Sequence, residues 1–140
     1  MSLAPYLNFP GNSREAMAFY EEVFETSVVF TMTYGEMPEN PEYPLPEEMR
    51  NHVVNARMFI VGSLIMFSDL WPGMEAVPGN MVDLSVLSTD MAYMRRAFDR
   101  LAVDGQVGMP LGPTDWSVLY GDVVDKYGIH WQFNHDEQLA

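Results

Sequence analysis

Few side chains in this sequence are equipped for covalent chemistry. Cysteine is absent, which removes disulfides, thiolate metal ligands and a sulfur nucleophile together. Serines occur, but none sits in a Gly-x-Ser-x-Gly elbow, and there is no phosphate-cradling Walker loop. The histidines are His52, His130 and His135. A carboxylate or an imidazole can act as a general acid or base near neutral pH, so any such role falls to these two kinds of side chain. His135 falls in the C-terminal tail and His52 at the start of a strand. Asp122 and Asp125 bracket a turn and are expected to be solvated. Trp71, Trp116 and Trp131 are expected in the core or in dimer contacts.

The elements that would position these groups follow from hydrophobic periodicity. Tyr6–Phe9 reads as a short strand, ended by Pro10 and Gly11. Asn12 or Ser13 caps a helix with Ala16, Phe19, Tyr20, Val23 and Phe24 on one face. Strands are predicted over Val28–Tyr34, Val53–Val61 and Leu64–Ser68, with a tight hairpin turn at Val61, Gly62 and Ser63. After a linker, Met81–Leu87 reads as a strand. Thr89 or Asp90 then caps a helix carrying Met91, Met94, Ala97, Phe98 and Leu101, with Gly105 as its C-cap. Val107–Leu111, Trp116–Val124 and Ile129–Asn134 complete the strands.

The two halves therefore share one order. Gly62 and Gly128 mark equivalent hairpins, and Asn8 and Ser85 fall at the same offset from the expected helix starts. The Ser13–Gly62 interval exceeds the Asp90–Gly128 interval, and the excess falls in residues 35–49. That stretch holds four prolines and five glutamates. Proline removes backbone donors and glutamate resists burial, so it is an acidic surface loop. It is either a passive insertion or a lid. The predicted fold class is α+β, with two βαβββ repeats forming a curved, cupped mixed sheet and helices outside. One domain spans 1–140, with modules at about 3–70 and 80–136.

Charge excludes several partners. Seven basic residues stand against 20 acidic ones, a net charge of −13. Such a chain repels phosphate backbones and anionic membranes, so no nucleic acid and no membrane partner is expected. No apolar run is long enough to span a bilayer, and residues 1–5 do not read as a signal peptide, which points to the cytoplasm.

Several segments resemble the vicinal oxygen chelate superfamily, also called the glyoxalase/bleomycin-resistance/dioxygenase superfamily, and within it the PhnB-like branch. Pro5-Tyr6-Leu7-Asn8-Phe9 leads to Asn12 and Glu15-Ala16-Met17-Ala18-Phe19-Tyr20. Tyr34-Gly35-Glu36-Met37-Pro38 is similar to the branch's Tyr-Gly-Asp-Met-Pro. Phe67-Ser68-Asp69 closes the first half. Met109-Pro110-Leu111, Trp116 and Asp125-Lys126-Tyr127-Gly128-Ile129-His130-Trp131 resemble the C-terminal signature. The resemblance implies eight strands around a cavity and a homodimer. Branch members are often labelled as 3-demethylubiquinone methyltransferases, but no strand here leads through a glycine-rich turn into a helix, as a Rossmann-like cofactor site needs.

Superfamily enzymes hold one divalent metal on four strands. The resemblance places those positions at Tyr6 or Asn8, at Met66, at Asp83 or Ser85, and at Gln132. This set is poor in carboxylate and imidazole. No cofactor is therefore expected; if a metal binds, Asp83 and Gln132 are its ligands. Alternation along strands adds Asn55, Arg57 and Phe59 from the third strand and His130 from the last; within the set that the resemblance implies, Asp83 and His130 are the candidates for a catalytic acid or base. The expected ligand-binding set is Tyr6, Asn8, Asn55, Arg57, Phe59, Met66, Asp83, Ser85, His130 and Gln132. Arg57 facing Asp83 is either a buried ion pair or a substrate anchor. The expected function is metal-free binding of a small molecule. The alternatives are a divalent-metal-dependent lyase, isomerase or dioxygenase, and a non-enzymatic interaction protein using the acidic loop.

Overall fold

In a computed structural model, residues 1–138 are described. They form two compact units, Met1–Val77 and a second from Pro78 onward. The first runs β1 (Tyr6–Phe9), α1 (Ser13–Phe24), β2 (Val28–Thr33), β3 (Val53–Ile60) and β4 (Ser63–Asp69). The second runs β5 (Leu84–Ser88), α2 (Met91–Leu101), β6 (Gln106–Gly112), β7 (Tyr120–Val124) and β8 (His130–His135). Each unit holds one four-stranded sheet, ordered β1-β4-β3-β2 and β5-β8-β7-β6. In both, the first and last strands pair in parallel and the other pairs are antiparallel. The α+β class and the repeated βαβββ order are as the sequence predicts.

One side of each sheet is covered by its unit's own helix. In the first unit, Ala16, Tyr20, Val23 and Phe24 of α1 are buried with Phe9, Met58, Ile65 and Phe67 of the strands. Tyr20 packs on Phe67 at a centroid distance of 6.0 Å. In the second, Met94, Ala97, Phe98 and Leu101 of α2 are buried with Val86, Val123, Trp131 and Phe133. Phe98 meets Phe133 edge-on at 5.4 Å. Each fully buried aromatic or aliphatic side chain contributes about 1.5–3 kcal/mol, so these contacts fix which side of each strand faces inward.

The structure decides between some local alternatives and corrects other expectations. Asn12 is the N-cap of α1 and Ser13 lies inside the helix; the Ser13 N–H is accepted by Asp69 Oδ1 at 2.9 Å. Asp90 caps α2 through the Tyr93 N–H. Gly105 does not cap that helix, which ends at Leu101 with Ala102 as its C-cap. Gly105 is required for a different reason: a Cβ there would lie 2.5 Å from the Val124 carbonyl oxygen. The strand expected at 81–87 begins only at Leu84, and the one expected at 116–124 begins at Tyr120, because Thr114 and Ser117 close their own turn first. Tyr34 leaves β2 to open a short 3-10 turn. His135 ends β8 rather than lying in a tail.

The repeat also shifts in register. Tyr6 pairs with Met66, and Ser85 pairs with Gln132. Met66 and Gln132 each follow their hairpin glycine by the same interval, so Ser85 corresponds to Tyr6 and not to Asn8. The offset differs because Asn12, not Ser13, is the counterpart of the cap Asp90, and because the β1–α1 connection carries one extra residue at Pro10-Gly11. The difference, two residues, left the predicted face unchanged.

Candidate functional site

The side of the first sheet opposite α1 gathers most of the predicted residues. Register places Tyr6 beside Met66, Met66 beside Arg57, and Arg57 beside Phe30. Asn8, Asn55 and Phe59 lie on the same face by alternation. The face is open: Tyr6, Phe30 and Phe59 are 41%, 45% and 48% exposed. The Tyr6 hydroxyl donates to the Val54 carbonyl at 2.9 Å, and the Asn55 amide reaches the Tyr6 oxygen at 3.5 Å and the Met66 sulfur at 3.9 Å. Ser68 donates to Asn8 Oδ1 at 3.2 Å. Arg57 is exposed and lies over the Phe30 ring at 5.4 Å, so it is not a buried ion pair.

The second sheet repeats the arrangement with more polar groups. Ser85, Gln132 and Asp122 are register partners, and His130 and Tyr120 share their face. Tyr120 donates to Gln132 Oε1 at 2.9 Å. Burial raises the Tyr120 pKa above 10.0, helped by the charges of Asp122 and Asp83. Asp83 lies just before β5, and its Oδ1 is 3.8 Å from His130 Nδ1.

A third feature lies in the first unit. A cavity of about 480 Å³ is lined by Tyr34, Trp71, Arg50 and most of residues 37–45. Its inner corner is fixed by backbone contacts. The Tyr34 N–H bonds to the His52 carbonyl at 2.9 Å, and the Gly35 N–H to the Arg50 carbonyl at 3.0 Å. A Cβ on Gly35 would stand 2.9 Å from that oxygen, so only glycine lets the two segments approach. The Tyr34 hydroxyl donates to the Asp69 carbonyl at 2.8 Å, and its ring meets Trp71 edge-on at 5.5 Å. Burial raises the Tyr34 pKa above 10.0, followed by the effects of Tyr6 and Asp69. The acidic loop thus forms a wall of a cavity.

A family model described as 3-demethylubiquinone-9 3-methyltransferase matches residues 1–134. The chain belongs to this family. Protein YjdN of Escherichia coli (strain K12) is 32% identical, the match covering 96% of this chain and 95% of YjdN. The crystal structure of protein PA1353 from Pseudomonas aeruginosa superposes with a TM-score of 0.84 at 29% identity, covering 97% of this chain and 98% of that one. A Bacillus cereus PhnB protein, described as a putative 3-demethylubiquinone-9 3-methyltransferase, gives 0.78 at 26% identity, over 97% and 100% of the two chains. With the paired βαβββ units, the family places the chain in the vicinal oxygen chelate superfamily.

The residues at the superfamily's metal positions do not fit a divalent ion. By register these are Tyr6, Met66, Ser85 and Gln132, a phenol, a thioether, a hydroxyl and an amide; the alternative Asp83, which does carry the charge that hard and borderline ions prefer, lies before β5 begins. The Gln132 oxygen already accepts from Tyr120, and the Met66 sulfur from Asn55. Among the described residues, no three His, Asp or Glu side chains converge to hold a metal.

Sequence reasoning missed three residues that organise these regions. Tyr34 and Trp71 build the cavity corner; the aromatic that follows β2 and precedes a glycine was a usable signal. Asp125 was expected in solvent but is 3% exposed. Its Oδ1 accepts from the Tyr127 and Ile129 N–H groups at 2.8 and 3.1 Å, and its Oδ2 from the Trp131 indole at 2.9 Å. An aspartate two residues before a turn glycine's neighbours is an Asx-turn signal. Asp122 is half-buried and accepts from the Met109 N–H at 3.1 Å. Trp131 is in the core as expected, whereas Trp116 is 63% exposed.

Proposed function

We propose that this protein binds a small organic molecule without a metal, on the open faces of its sheets, and does so as a cytoplasmic homodimer. The observation that carries this is the uncovered side of the first sheet. There Tyr6, Asn55 and Arg57 stand among Phe30, Phe59 and Met66, with three aromatic rings at least two-fifths exposed. Exposed apolar clusters interleaved with oriented polar groups mark places where a ligand or partner seats. Ser85, His130 and Gln132 supply a more polar counterpart on the second sheet. The neutral donor set supports metal-free binding. The dimer and the cytoplasmic location rest on the superfamily resemblance and on composition; among the described residues, no helix is long and apolar enough to cross a membrane.

A second reading, an enzyme of the same superfamily, draws on the placement of Asp83 3.8 Å from His130, an ion-pair distance that must shorten before a proton can pass directly between them. One experiment separates the two. A thermal-shift screen of small molecules is run on untagged protein, with elemental analysis of the same sample. A ligand at about 100 times its Kd stabilises by about 2.7 kcal/mol. That shift should collapse in Arg57→Ala and Phe59→Ala, with divalent metal far below one per chain. A screen without hits, or hits indifferent to both substitutions, would overturn the binding site. Stoichiometric metal would overturn the metal-free reading and favour the enzyme.

A further inference from the structure

The cavity beside residues 37–45 shares no lining residue with the strand faces above. Its lining joins three aromatic rings, Tyr34, Tyr43 and Trp71, to Met37 and a run of prolines. A volume of about 480 Å³ is in the range of sites for small organic ligands. The Tyr34 and Trp71 rings are held by the Asp69 carbonyl and by each other, so this corner is preformed. The loop wall is ordered internally: the Tyr43 N–H bonds to the Asn40 carbonyl at 3.0 Å, and the Glu42 N–H to the Asn40 side chain at 3.0 Å.

The charge of the lining sets the ligand class. Arg50 is the cation of the lining, with Glu47 at 2.8 Å and the charge of Glu39 also acting on it. Counting Glu47 beside the lining's own Glu39, two carboxylates stand against one guanidinium, so the local sign is negative. The surrounding segment adds Glu36, Glu42 and Glu48, within a chain of net charge −13. Aromatic faces attract ammonium groups, and a negative field reinforces them. We propose that this cavity is a binding site for a flat organic cation, its aromatic body against Tyr34 and Trp71 and its ammonium group toward Glu39.

The test uses three probes of one shape: 1-naphthylmethylammonium, 1-naphthalenemethanol and 1-naphthoate. Each is titrated into the full chain and followed by residue-resolved NMR. The ammonium should bind about tenfold more tightly than the carboxylate, with the largest shifts at Tyr34, Tyr43 and Trp71. Glu39→Gln, on an exposed loop, should reduce that preference severalfold without unfolding the protein. Trp71→Leu should abolish binding. The proposal fails if the carboxylate binds as well as the ammonium, if nothing binds at millimolar concentration, or if shifts appear only at Arg57, Phe59 and Gln132. That last pattern would support the strand-face site while removing this one, so the two fail independently.

Discussion

Asp69 in the first unit and Asp125 in the second are almost equally buried, at 1% and 3% exposure, yet they satisfy donors at very different distances along the chain. Asp69 accepts from the Ser13 N–H at 2.9 Å and the Val53 N–H at 2.8 Å, so one carboxylate joins the start of α1, the start of β3 and the end of β4. Asp125 accepts from residues close by in the chain: Tyr127, Ile129 and Trp131. The first is a tertiary clamp and the second a turn staple. The difference shows that burial of a charge does not define its role; the sequence separation of its donors does. It also accounts for how each unit is used. The clamp lies under Tyr34 and anchors the corner of the cavity, whereas the staple holds the hairpin that brings His130 and Gln132 onto the second open face.

The comparison is broken most directly by removing each carboxylate. Asp69→Ala leaves two buried backbone N–H groups without acceptors and should destabilise by roughly 3–6 kcal/mol, at about 1.5–3 kcal/mol per charge-assisted bond. In Asp125→Ala the Tyr127 and Ile129 N–H groups belong to half-buried residues and can turn to water, so the loss should be smaller, about 2 kcal/mol, mostly from the stranded Trp131 indole. Adding Trp131→Phe should recover part of that loss in a double-mutant cycle. Urea unfolding of the set checks the order; an Asp125→Ala loss equal to that of Asp69→Ala would show that the staple also acts at long range.

The hairpins sharpen the contrast at lower energy. Val61 and Gly62 connect β3 to β4 with φ of 50° and 80°, a two-residue turn of the primed type. A β-branched residue is strained there, whereas the β7–β8 hairpin places Gly128, φ 88°, at its positive position. Val61→Asn should therefore stabilise by about 1 kcal/mol in the same urea titration, and no gain would show that the strain is already relieved.

The smallest effect is on alkaline stability. Tyr34 and Tyr120 have pKa values raised above 10.0 in the fold, chiefly by burial. Burial favours the neutral phenol, so their contribution is complete below the unfolded pKa and is lost as pH rises through the folded value. Stability should fall above about pH 10. Tyr34→Phe and Tyr120→Phe should each flatten that fall, and an unchanged alkaline slope would remove the tyrosines as its cause.

The α+β class, the two βαβββ units and the packing side of β1, β3, β5 and β8 were legible in the residues alone. These follow from local periodicity: Ala16, Tyr20, Val23 and Phe24 can only face one way on a helix, and Trp131 and Phe133 one way on a strand. The same alternation placed Arg57 with Phe59 and His130 with Gln132. Only tertiary structure decided that Asp125 is buried, that Arg57 stacks on Phe30, and that an acidic loop walls a cavity with Tyr34 and Trp71. A charged side chain's surroundings depend on which backbone donors and rings arrive from elsewhere in the chain. Periodicity records how an element faces its own core, but carries no information about what meets it there.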